Sequence, residues 1–116
     1  MKKMKLVTAD IKKKFAKYPL HSQDGKKGDA MCIATYFFPM GAWTWYVLEG
    51  NADTGEIFCV CINGYGEGEY GYNTIQQLSD LCVHGLSVER DKVFKPKPLK
   101  EIHDAYLQEF LAKFTD

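Results

Sequence analysis

From Met31 to Tyr72 the sequence alternates on a period of two, and glycine, asparagine and aspartate punctuate it at short intervals. Short alternating runs joined by turn residues form antiparallel hairpins, since parallel strands need crossovers of a dozen residues or more. Met31 to Phe38 reads as a first strand, closed by Pro39 and Gly41. Trp43 to Gly50 is the next, with Trp43, Trp45, Val47 and Glu49 on one face and Thr44, Tyr46 and Leu48 on the other. Asn51 to Gly55 carries the right residues for a hairpin loop. Ile57 to Asn63 is a third strand, Gly64 to Gly68 a second turn, and Glu69 to Tyr72 a fourth, shorter strand.

Helical signals flank this meander. Thr8 is a good N-cap, Asp10 follows in the first turn, and Ile11, Phe15 and Tyr18 recur at helical spacing before Pro19. The spacing predicts an amphipathic helix over residues 9–17. Residues 20–29 are polar with two glycines and read as a mobile loop. A short helix fits Thr74 to Leu81, capped by Asn73 or Thr74. Leu86 to Val88 and Val93-Phe94 read as strand pieces around the charged step Glu89-Arg90-Asp91. After Pro96 and Pro98, Leu99, Ile102, Tyr106, Phe110 and Phe114 mark one face of a C-terminal helix. The expected fold is α+β. An antiparallel meander of about five strands has an N-terminal, a short middle and a C-terminal helix packed against it, on one face, as one domain over 1–116.

Charge narrows the function classes. The 116 residues carry 15 basic and 15 acidic groups, so the net charge is zero. The charges are segregated: residues 1–29 hold nine lysines against three acids, and residues 30–91 hold one arginine against eight acids. A generic polycation is excluded. No run approaches the ~18 apolar residues of a membrane span, and the lysine-rich start lacks the apolar run of a secretory signal. The expectation is a cytoplasmic protein with free thiols at its four cysteines.

Few constellations point to chemistry. Cys59 and Cys61, and Cys82 and His84, each place two metal-ligand types at i, i+2, so four could converge if their strands paired. Structural zinc sites use tighter knuckles, and small buried strand residues are the bland alternative. The sequence therefore calls for no metal and no cofactor, and no catalytic signature surrounds its cysteines or histidines. The glycines of residues 64–71 would suit a phosphate cradle, but Glu67 and Glu69 lie inside the segment. Tyr36, Phe38, Trp43, Trp45 and Tyr46 could stack bases, yet the cationic surround that single-strand binders need is missing.

The charged residues of the sheet are more informative. Glu49 stands with the tryptophans, Glu69 beside Tyr70 and Tyr72, and Glu89, Arg90 and Asp91 interrupt an apolar strand. They read either as a polar network that fixes strand register or as a binding surface, since Trp, Tyr and Arg most often carry interface energy. Candidate binding residues are Trp43, Trp45, Tyr46, Glu49, Glu67, Glu69, Tyr72, Glu89, Arg90 and Asp91.

Three blocks carry a resemblance: Trp43-Thr44-Trp45-Tyr46 with Glu49-Gly50; Glu69-Tyr70-Gly71-Tyr72; and Gly85 to Asp91 followed by Phe94, Pro96 and Leu99. Over roughly residues 4–100 the chain resembles the bacterial domain-of-unknown-function family 2958. The resemblance implies a small cytoplasmic protein of bacteria, plasmids, conjugative elements or phages, with no enzymatic activity to carry over. It associates the chain with anti-CRISPR, anti-restriction or DNA-transfer functions, which is association and not mechanism. Two readings follow. One is a non-enzymatic accessory protein that binds a host defence or DNA-processing protein. The other is a small-ligand or single-stranded nucleic-acid module, or an enzyme, with a pocket of Trp43, Trp45, Glu49, Tyr72, Glu89 and Arg90. Convergence of those side chains would favour the pocket, and dispersal the interface.

Overall fold

The computed structural model describes residues 5–113. Helix α1 spans Ala9–Lys17, within the limits that its caps and spacing predict. The Thr8 hydroxyl accepts from the Ile11 N–H at 3.2 Å, and Lys14 pairs with Asp10 at 3.0 Å. The strands are β1 (Met31–Cys32), β2 (Ala34–Phe38), β3 (Trp43–Gly50), β4 (Glu56–Ile62) and β5 (Gly68–Thr74). Helix α2 (Ile75–Asp80) follows, then β6 (Cys82–Val83), β7 (Leu86–Ser87), β8 (Glu89–Arg90) and β9 (Lys97–Pro98). A 3-10 turn at Leu99–Glu101 precedes α3 (Ala105–Ala112). The fold is α+β, with a five-stranded antiparallel sheet in the order β5-β4-β3-β2-β8.

Asparagines shape two of the hairpins. Asn51 Oδ1 accepts from the N–H groups of Asp53 and Thr54, and Asn63 Oδ1 from those of Tyr65 and Glu67. The first strand of the sequence reading is in fact two. β1 pairs with β9, and β2 joins the main sheet between β3 and β8. The charged step itself forms β8, because its backbone completes the ladder with Tyr36 and Phe37. Val93-Phe94 is not a strand: the Asp91 carboxylate accepts from the Val93 N–H at 3.1 Å, and Val93 is 85% exposed in the turn this makes.

The helices cover both faces of the sheet, not one. Ile11 and Phe15 of α1 and Leu78 of α2 pack on Tyr36, Trp45, Val47, Ile57 and Cys59. Leu107, Phe110 and Leu111 of α3 pack on Tyr46, Leu48, Val60 and Ile62. A sheet covered twice buries successive residues, which is why β3 is buried continuously from Trp45 to Gly50. Gly50 lets α1 approach: a Cβ there would stand 2.6 Å from the Phe15 ring.

The C-terminal helix starts later than the apolar spacing suggests. Asp104 caps α3, and its carboxylate accepts from the Tyr106 and Leu107 N–H groups at 3.0 and 3.3 Å. Its second oxygen accepts from the buried Tyr46 hydroxyl at 2.5 Å. Tyr106 consequently faces outward at 56% exposure, and Leu107, Phe110 and Leu111 face the sheet. Phe114 lies outside the described residues. Burial, reinforced by the Asp104 carboxylate, pushes the Tyr46 hydroxyl well above the usual phenol range. We expect Tyr46→Phe to cost about 1–3 kcal/mol in chemical denaturation, because it removes a hydrogen bond to a charged acceptor while keeping the ring.

Candidate functional site

The alternation in β3 breaks at Leu48. Val47 stands opposite Cys59, but Glu49 stands opposite Phe58, so the register shifts by one residue. The shift moves Glu49 off the face of Trp43 and Trp45 and onto the face of Phe58, Tyr70 and Tyr72. The sequence expectation that Glu49 joins the tryptophans is thereby overturned.

Glu49 is 1% exposed there and grips the loop after α1. Its Oε1 accepts from the His21 N–H at 2.7 Å and its Oε2 from the Gln23 N–H at 2.8 Å. The buried Gln23 side chain completes the latch. It donates to the Met31 and Leu48 carbonyls at 2.8 and 2.7 Å and accepts from the Met31 N–H at 2.6 Å. Residues 20–29, which polarity alone marks as mobile, are therefore tied to β1 and β3. His21 adopts a left-handed φ of 72° to present its N–H.

Arg90 is also committed. Its guanidinium donates to the Lys5 carbonyl, and the Tyr36 hydroxyl donates to the Leu6 carbonyl at 2.6 Å. Together they hold the segment entering α1. Asp91 shapes its own turn and donates its N–H to the Thr35 carbonyl at 2.9 Å. Glu89 stands opposite Phe37, on the alternate face from Arg90. The six residues proposed to line one pocket are thus dispersed over both faces and do not converge.

Tyr72 stays half-exposed on the Phe58 face, and a second exposed group lies at the far end of the α1-covered face. Trp43 is 41% exposed and packs on the buried Trp45, the rings tilted by 32° with centroids 6.1 Å apart. Trp43, Cys61, Asn63, Glu67 and Glu69 border a depression of about 100 Å³. Cross-strand pairing of Trp45 with Cys61, and of Cys61 with Glu69, puts the carboxylate on the tryptophan face. Burial, then the Glu69 charge, pushes the Cys61 thiol up to about 11. Of the five aromatics that could form a base-stacking platform, Tyr36, Phe38, Trp45 and Tyr46 are buried in the core. On the opposite face, Phe58, Tyr70 and Tyr72 form a row with centroid spacings of 5.7 and 4.8 Å. The sequence reading passed over Phe58, which the β4–β5 register sets opposite Tyr72.

The metal alternative finds no support in the geometry. Cys59 is buried in β4, whereas Cys82 and His84 belong to the separate β6–β7 ribbon. Among the described residues no three His, Cys, Asp or Glu side chains group as metal ligands. No described helix is long and apolar enough to cross a membrane.

The chain is a member of the DUF2958 family, described as a protein of unknown function, whose model matches residues 6–107. The match runs past the blocks quoted above into α3. No curated protein and no solved structure matches the chain.

Two outcomes follow. Glu49→Ala strands two inward-facing N–H groups, so roughly 2–5 kcal/mol of stability should be lost. Trypsin should then cut at Lys26 or Lys27 faster than in the wild type, as electrophoresis of timed digests will show. For the thiols, Cys82 is exposed, and burial pushes Cys32 up to about 12 and Cys59 well above the usual range. Near neutral pH, a thiol reagent should modify Cys82 rapidly, Cys61 slowly, and Cys32 and Cys59 only on unfolding. These raised thiols favour the folded state fully below pH ~9, the usual cysteine value, and their contribution should be lost as pH rises towards ~12.

Proposed function

We propose that the protein is a non-enzymatic accessory factor that acts by binding another protein, through the corner formed by Trp43, Glu67 and Glu69. The observation that carries this reading is the half-exposed indole flanked by two carboxylates around a depression of about 100 Å³. A space of that size suits a side chain rather than a drug-sized ligand. Its chemistry suits a basic one, because arginine or lysine can stack on indole while pairing with carboxylates. The partner class implied by the family resemblance, a host defence or DNA-processing protein, has such a surface. Channels that hold nucleic acid are lined with lysine and arginine. Occupying one with a carboxylate-rich corner would block it without chemistry. In this reading the chain belongs to a mobile genetic element or its host and is an inhibitor of the anti-CRISPR or anti-restriction type.

Trp43 reports on its own site, because Trp45 is buried beneath it. Titration with an arginine-rich peptide at physiological salt should change the tryptophan emission. Trp43→Phe should remove the change, and the double variant Glu67→Lys, Glu69→Lys should weaken binding at least tenfold. A response to a single-stranded oligonucleotide that survives the double variant would favour the nucleic-acid reading instead. No response to the peptide would overturn the electrostatic one.

A further inference from the structure

Strand β5 ends the sheet: it pairs with β4 on one side and with no described strand on the other. Its orientation is fixed by its neighbours. Ile75 donates its N–H to the Gly55 carbonyl, and the Glu67 carbonyl accepts from the Asn63 N–H, each at 2.8 Å. Odd-numbered residues therefore address β4, and the main-chain groups of Gly68, Tyr70 and Tyr72 point away from it. The Thr74 N–H also points outward and is taken by the Gln77 side chain at 2.8 Å.

Exposed edges are normally blunted by brevity, proline, bulges or charge. The opposite edge, β8, is two residues long. β5 is seven residues long, pairs with β4 without a register shift, has no proline and carries one charge, Glu69. At its centre stands Gly71. Glycine inside a strand is costly and commonly marks the close approach of another backbone. Nothing among the described residues requires it, since a Cβ at Gly71 would meet none of their atoms within 4 Å and its φ lies outside the left-handed region. The sequence about it is symmetrical, Tyr70-Gly71-Tyr72.

We propose that β5 is a homodimer contact, in which two copies pair antiparallel about a two-fold axis through Gly71. The register is self-complementary. Tyr72 lies opposite Tyr70 of the second copy, so a tyrosine that is 49% exposed in the single chain gains a cross-strand aromatic neighbour. Glu69 lies opposite Asn73 of the second copy, a carboxylate facing a carboxamide donor. The two Glu69 side chains are kept apart by the glycines. Gly71 addresses β4, so the axis falls on a non-hydrogen-bonded pair, where Cα atoms approach to about 4.5 Å. The aromatic row of Tyr70, Phe58 and Tyr72 then continues from one copy into the next.

The axis sets residue 71 against itself, which gives a test specific to this register. Sedimentation equilibrium from about 1 to about 200 µM, the range in which weak contacts saturate, should show a monomer–dimer equilibrium for the wild type. Gly71→Lys and Gly71→Glu should each sediment as monomers with unchanged circular dichroism, and an equimolar mixture of the two should dimerise again. A wild type monomeric throughout the range overturns the proposal. So does a dimer that persists in both variants, or a mixture that fails to re-associate. If either variant fails to fold, Tyr72→Pro, which removes an outward N–H and spares the β4 ladder, takes its place and should be monomeric.

Discussion

The carboxylate of Glu49 is buried beneath a loop that has little apolar surface to hold it down. Two main-chain N–H groups meet its two oxygens at 2.7 and 2.8 Å, and with Gln23 it fastens residues 20–29 to β1 and β3. A charge in that position is tolerable only when both oxygens are satisfied. The Leu48 shift makes this possible, because without it Glu49 would point into the core under α1. The same shift turns Gly50 towards Phe15, where the lack of a side chain admits the helix. One irregularity in β3 therefore places the loop on one face and α1 on the other.

Double coverage has a consequence for function. The two faces of β3 and β4 are occupied by the helices and the loop latch, so most of the charged and aromatic residues that look functional are consumed by structure. Glu49 holds the loop, Arg90 and Tyr36 hold the entry to α1, and Tyr46 fixes Asp104 at the start of α3. Coverage ends at the β2–β3 and β4–β5 turns and along the β5 edge.

Legibility in the sequence followed the physics that each element depends on. The caps and helical spacing fix α1, and alternation between turn residues fixes β3, so both are readable locally. The capping box of Thr74 and Gln77 likewise marks the start of α2. The Leu48 shift is not readable, because in a doubly buried strand every residue from Trp45 onward is apolar or tied down, and alternation carries no signal. Val93-Phe94 looks like a strand by composition, yet the Asp91 turn decides its conformation. The candidate corner was legible in its residues, Trp43, Glu67 and Glu69. Their separation from Glu49, Glu89 and Arg90 was not, since it depends on a register that only the folded sheet defines.

The segregated charges now have a location. Within α1, Lys14 pairs with Asp10, and the basic side chain of Lys100 reaches Asp29 in the neighbouring loop. Trp43 and Gly50 lie at opposite ends of β3, roughly 20–25 Å apart at ~3.3 Å per residue. The α1 lysines and the Glu67–Glu69 corner therefore occupy opposite ends of one face. That distance is two to three Debye lengths at physiological salt, so the lysines do little to screen the carboxylates. The zero net charge of this chain therefore hides an acidic corner that stands apart from the lysines of α1.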